Sequence, residues 1–155
     1  MLTSFSASFT VTSIPSTGTP PRISTYSRLT IIDDNLYTFG GIDDYSSLLN
    51  SLYKFDLVAT LWTQVNTDSD ISPSPRLNMV MTSYNGNIYI FGGETEDGVR
   101  GDLWMLDLNT FMWNQLRLES EVRLARSQAS FTLVENYLIL FGGISNQGTE
   151  ASLLL

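Results

Sequence analysis

Three short strand-like runs, each stopping on a pair of glycines, constrain this chain more than any other feature. They are Leu36-Tyr37-Thr38-Phe39-Gly40-Gly41, Asn87-Ile88-Tyr89-Ile90-Phe91-Gly92-Gly93 and Tyr137-Leu138-Ile139-Leu140-Phe141-Gly142-Gly143. β-Branched and aromatic residues without polar alternation predict a strand buried on both faces. The glycines predict a sharp exit from it, because glycine reaches φ > 0 freely and lets other backbone pass close. Gly40 and Gly92 stand 52 positions apart, and Gly92 and Gly142 stand 50 apart. A period of that length means stacked structural repeats.

The rest of each unit keeps the same order. Arg22 to Ile32 reads as extended, Asp33-Asp34-Asn35 as a turn, and the strand ending at Gly40-Gly41 follows. Leu52 to Leu57 and Leu61 to Val65 read as the third and fourth strands. In the second unit Asn85-Gly86 is the hairpin signal. Leu103 to Leu108 and Met112 to Leu116 then repeat the last two strands, with Trp104 and Trp113 spaced as Tyr53 and Trp62 are. A third unit opens at Arg126 and turns at Glu135-Asn136. Leu153-Leu154-Leu155 places the chain just inside that unit's third strand. At the other end Phe5 to Thr12 alternates like a half-exposed strand, and Phe9 falls at the Trp position of a preceding unit. Leu116 to Arg126 is the nearest thing to a helix, but its apolar residues fall mostly at even spacing. The prediction is all-β.

Four strands per unit, a period near 50, Gly-Gly after the second strand and spaced Tyr/Trp residues resemble the kelch repeat. The matching residues are Gly40, Gly41, Tyr53 and Trp62, then Gly92, Gly93, Trp104 and Trp113, then Gly142 and Gly143. Arg22, Arg76 and Arg126 resemble the Arg of the family's Pro-Arg opening, with Ala125 replacing Pro in the third unit. Arg22 lies 18 positions before its glycine where the other two lie 16, so the first opening is out of step. The resemblance implies four-stranded antiparallel blades of a kelch-type β-propeller, of the galactose-oxidase-like central-domain kind. It divides the chain into a last strand and linker over 1–20, blades over 21–74 and 75–124, and an incomplete blade over 125–155. Closed propellers carry about four to eight blades, so this one is expected to be partial and open.

Chemistry is sparsely supplied. The chain has no His and no Cys, which removes Ser-His-Asp and Cys-His machinery and the usual transition-metal ligands. Some kelch-like propellers are copper oxidases, but the ligand types they need are missing here. Glu94-Thr95-Glu96-Asp97-Gly98 departs from the calcium-loop pattern. Gly-Gly recurs three times without a following Lys or a helix, so it reads as structural and not as a phosphate cradle. The tryptophans read as inter-blade packing, and Asp56 and Asp107 as acceptors for their own turns. No catalytic residue, metal or cofactor is expected.

Charge supplies the one functional signal. Sixteen acids against eight Lys/Arg leave a net charge of −8, which opposes binding to nucleic acid. No apolar run reaches the roughly 18 residues of a membrane helix. In a four-strand meander the loop after strand two and the inter-unit loop emerge at one end. That end collects Asp43, Asp44, Asp68, Asp70, Glu94, Glu96, Asp97, Glu119, Glu121 and Glu150 against Arg100 and Arg123. The expected role is a non-catalytic protein–protein interaction module, a scaffold or adaptor offering acidic loops to a basic partner surface. The candidate contact residues are Asp43, Asp44, Tyr45, Glu94, Glu96, Asp97, Arg100, Asn146 and Gln147. Two other readings stand beside it: a piece of a larger kelch propeller with no independent function, and an enzyme domain on the same scaffold. Composition without Cys, a sequon or a signal-like start points to the cytoplasm. Open blade faces are expected to associate.

Overall fold

The computed structural model describes residues 10–67, 69, 71–118, 124–135, 137–149, 151 and 153–154. Phe5 and Phe9, five of the ten rim acids (Asp68, Asp70, Glu119, Glu121 and Glu150) and Arg123 lie outside them.

Short turns fold each unit into a meander. Asp33, Asn85 and Glu135 all sit at φ near +50° between a unit's first and second strands, a conformation Asn and Asp tolerate better than most residues. At the next turn Asp56 Oδ1 accepts the N–H groups of Val58 and Ala59, at 2.9 and 2.7 Å. Asp107 Oδ1 accepts those of Asn109 and Thr110 in the same way, at 2.7 and 3.3 Å. These Asx-type bonds give both aspartates the turn-capping role their matched positions predict.

In chain order, β1 (Thr17–Gly18) and β2 (Ser24–Thr25) precede the first blade. That blade is β3 (Arg28–Ile32), β4 (Asn35–Phe39), β6 (Leu52–Asp56) and β7 (Leu61–Val65). The short β5 (Ile42–Asp43) lies in its loop and pairs with β2. The second blade is β8 (Val80–Tyr84), β9 (Asn87–Thr95), β10 (Gly98–Asp107) and β11 (Met112–Leu116). The third holds β12 (Ser130–Val134), β13 (Tyr137–Phe141) and β16 (Leu153–Leu154), with the loop hairpin β14 (Ile144–Ser145) and β15 (Gly148–Thr149). Neighbouring strands within each blade run antiparallel, and β1 lies parallel to β7 on the outer edge of the first sheet. The sheets remain separate and open. Phe39 pairs with Leu52, Phe91 with Leu103 and Phe141 with Leu153, so one register runs through all three units.

Two expectations need correction. The second unit's strand does not stop at its glycines. β9 runs through Gly92 and Gly93 to Thr95 and returns as β10 from Gly98, five residues before Leu103. A register shift between Arg100 and Leu103 absorbs the left-handed glycines, so the ladder resumes beyond them. The second correction concerns Arg22. Thr25, Leu77 and Ser127 make equivalent pairings with Ile42, Glu94 and Ile144. The place held by Arg76 and Arg126 is therefore filled in the first unit by Ser24. Arg22 is a surface residue 3.5 Å from Asp43.

The core lies between blades. Tyr37, Phe39 and Leu52 of the first blade meet Met79, Met81, Ile88, Ile90, Trp104, Leu106 and Trp113 of the second. Phe39 and Trp113 cross edge to face at 5.7 Å. Phe91 and Leu103 meet Leu140 at the second seam, where Phe91 also stacks on Phe131. Both seams carry the same main-chain bonds. Gly41 N–H donates to the Arg76 carbonyl and Gly93 N–H to that of Arg126, at 2.9 and 2.8 Å. Arg76 and Arg126 N–H donate back to the carbonyls of Leu49 and Arg100, each at 3.0 Å. Asn78 N–H reaches the Tyr26 carbonyl and Gln128 N–H that of Asn78, at 3.2 and 2.9 Å. A net hydrogen bond is worth about 1 kcal/mol, and a buried large apolar side chain about 1.5–3 kcal/mol. Apolar burial therefore holds the seam shut, and the main-chain bonds set its register.

Candidate interaction surface

Because each meander is antiparallel, the loops after β4, β9 and β13 leave from one end of the stack. Their bases are rigid for a reason the glycines make plain. A Cβ on Gly40 would sit 2.6 Å from the Arg76 carbonyl oxygen, and one on Gly92 2.3 Å from that of Arg126. The first glycine of each pair thus lets the next blade's backbone in. The second glycine faces its own blade: a Cβ on Gly41, Gly93 or Gly143 would meet the carbonyl of Thr25, Leu77 or Ser127 within 2.7 Å. Gly142 shares the left-handed φ of Gly40 and Gly92.

Three loop tips rise from these bases. In the first, Asp43 is buried and accepts the N–H groups of Tyr45 and Ser47, at 3.0 and 2.9 Å. The Ser47 bond foremost, helped by Tyr45 N–H and the Arg22 guanidinium, holds its carboxyl below the usual carboxylate range against some desolvation. Asp43 therefore ties the loop together, and Asp44 and Tyr45 are what it shows to solvent. Tyr45 is 86% exposed and flanks a shallow cleft with Arg22, Ile23 and Asp44. In the second loop Glu94 is half-buried and accepts a bond from Asn78 Nδ2 at 3.1 Å. Glu96, Asp97 and Arg100 are exposed. The third tip is the turn Asn146-Gln147, also exposed, with Asn146 Oδ1 lying toward Gly98 of the second loop. Asp44, Glu96 and Asp97 are thus the exposed acids among the described residues of these three loops. Arg22 and Arg117 join Arg100 at that end as exposed cations that loop counting passed over.

The aromatic positions divide. Trp104 and Trp113 are buried in the first seam, whereas Tyr53 and Trp62 lie on the outer face of the first blade, where Trp62 packs on Phe55 at 4.8 Å. Beneath the rim, Arg76 is fully buried and grips Asp102 with both ends of its guanidinium, at 2.8 and 2.9 Å. It also reaches the Gly92 carbonyl and Ser74, while Trp104 Nε1 donates to Asp102 at 2.7 Å. Asp102 was not among the expected site residues. Its sequence signal is weak, since the matching residue of the first unit is Ser51.

A family model described as the KLHDC2/KLHL20/DRC7 Kelch-repeats domain matches residues 2–153. Acyl-CoA-binding domain-containing protein 4 of Arabidopsis thaliana is 31% identical over 140 residues, which is 89% of this chain and 21% of that protein. N-(sulfonatooxy)prop-2-enimidothioate sulfolyase of Thlaspi arvense is 30% identical over 138 residues, 87% of this chain and 40% of that protein. Host cell factor of Drosophila melanogaster is 30% identical over 149 residues, 83% of this chain and 10% of that protein. The chain thus spans well under half the length of each of these relatives.

Proposed function

Because this chain belongs to the kelch-repeat family, whose domains are in general protein-interaction modules, we propose that it presents its rim to a protein partner. The partner's contact surface carries basic groups, and the chain acts as scaffold or adaptor without catalysis. The observation that carries this reading is the contrast between the loops and their bases. The bases are locked by main-chain bonds repeated at both seams. The tips Asp44-Tyr45, Glu96-Asp97 and Asn146-Gln147 are exposed and differ from blade to blade. Variable loops on a rigid frame are the usual place for recognition. An exposed tyrosine beside a carboxylate offers both contact area and charge. The absence of His and Cys supports the non-catalytic part of the proposal against the sulfolyase likeness.

Asp44→Asn, Glu96→Gln and Asp97→Asn together are expected to slow association with a partner recovered on the wild-type chain. The on-rate should fall by about tenfold at low salt and lose most of its salt dependence, with the melting temperature unchanged. Asp43 is left intact, because its neutralisation would release the loop. An on-rate indifferent to salt and to these changes overturns the acidic-rim reading. The cytoplasmic setting belongs to the same proposal, and a tagged full-length protein confined to the secretory pathway would overturn that part.

A further inference from the structure

The two outermost blade faces are halves of an interface the molecule already contains. On the first blade, Leu29, Leu36, Tyr53, Phe55 and Trp62 occupy the positions that Met81, Ile88, Trp104, Leu106 and Trp113 hold in the second. In the second blade those five form the seam against the first. In the first blade Leu29, Leu36, Tyr53 and Trp62 line an open apolar trough of about 760 Å³, with Phe55 buried against Trp62, and Leu29 is 58% exposed. On the third blade Ile139 and Phe141 take the positions of Tyr37 and Phe39, which bury against the second blade. Phe141 is 55% exposed and Tyr137, on the same face, 60%.

The main chain is complementary in the same direction. At each formed seam the second glycine donates to the residue at the Arg76 position, and the left-handed residue of the later blade donates to that of the earlier one. Gly143 N–H and the Gln128 carbonyl hold the earlier-blade places at one open end. The Ser24 carbonyl and Tyr26 N–H hold the later-blade places at the other. Head-to-head contact would set like groups against each other, whereas head-to-tail contact pairs these two donors with these two acceptors.

We infer that a second copy of this chain docks head to tail on these faces, with the third blade of one copy seated on the first blade of the other as the first blade is on the second. Phe141 then meets Trp62 of the second copy as Phe39 meets Trp113. Such a contact is heterologous, and closes into a ring where the rotation permits. The inference rests on the blade faces and leaves the rim reading independent of it.

Light scattering on the size-separated 155-residue chain at micromolar concentration tests it, with two variants. Leu29→Glu/Leu36→Glu spoils the first-blade face, and Tyr137→Glu/Phe141→Glu spoils the third-blade face. The wild type is expected to run as a dimer, and each variant as a monomer weakened at least about a hundredfold in self-association, since each seam then buries unpaired charge. An equimolar mixture of the two variants should regain a dimer, because one intact seam survives between them. Far-UV circular dichroism confirms the fold, and Leu29→Asn and Phe141→Asn replace the glutamates should either variant unfold. A monomeric wild type overturns the inference. So does a variant that still self-associates, an unrestored mixture, or larger species that persist in either variant.

Discussion

Replacing Gly92 by valine is expected to destabilise the chain by about 3–5 kcal/mol, with a fall in melting temperature of roughly 10 °C. The reasoning separates two costs. Gly92 sits at φ +62°, where any residue with a Cβ loses about 1–2 kcal/mol. Its Cβ would also lie 2.3 Å from the Arg126 carbonyl oxygen, which is backbone and accepts the Gly93 N–H. Relieving that collision means pulling the third blade off the second. Gly86 is the internal control, because it has φ +73° but nothing within 4 Å of its Cβ position. Gly86→Ala should therefore cost only about 1 kcal/mol. Equal losses for Gly86→Ala and Gly92→Ala in denaturant unfolding would show that backbone strain alone, and not the seam, requires the glycine.

Asp102→Asn is expected to cost about 3–5 kcal/mol, because it leaves the Arg76 guanidinium buried without its counter-charge. Arg76 has no exposed surface, and Asp102 is its bidentate partner. Arg76→Met/Asp102→Leu should recover most of that loss, since replacing both ions with apolar groups removes the desolvation cost along with the attraction. Burial pushes the Asp102 carboxyl up, but the Arg76 bonds and charge and the Trp104 N–H outweigh it and hold the carboxyl below the usual range. A depressed carboxylate contributes stability above its unfolded value of about 3.9, and that stability is lost as pH falls through the folded value. Wild-type stability should accordingly drop below about pH 4 more steeply than that of Asp102→Asn. Parallel pH profiles for the two chains would refute the assignment.

The repeat and its strands were legible because they are local. Leu36 to Phe39, Ile88 to Phe91 and Leu138 to Phe141 carry apolar runs that need no tertiary information to read as strands, and Asp56 and Asp107 reach only their own turns. The two-position displacement of Arg22 was also visible in the spacing, and it marks where Ser24 takes the arginine's place. What stayed hidden depends on contacts distant in sequence. The Arg76–Asp102 pair joins residues 26 positions apart with no recurring partner to announce it. Asp43 and Asp44 look alike as neighbours, yet the loop folds back on the first and leaves the second in solvent. β9 outruns its glycines because a bulge on β10 beside Gly101 resets the register, and a lone glycine does not say how far the partner strand then runs. Trp62 carries the same motif as Trp113 but lies on the outer face of the first blade.

Tyr26, Asn78 and Gln128 pass a chain of peptide-to-peptide bonds from blade to blade, each in the same left-handed conformation. The joint therefore reads no side chain: an aromatic, an amide and another amide serve alike. Selection on such a joint falls on backbone shape and apolar bulk, and leaves the chemical identity of most residues free to drift. A unit copied or exchanged within the array would arrive with its couplings already written into its main chain. Its loop tips could then change without loosening the stack beneath them.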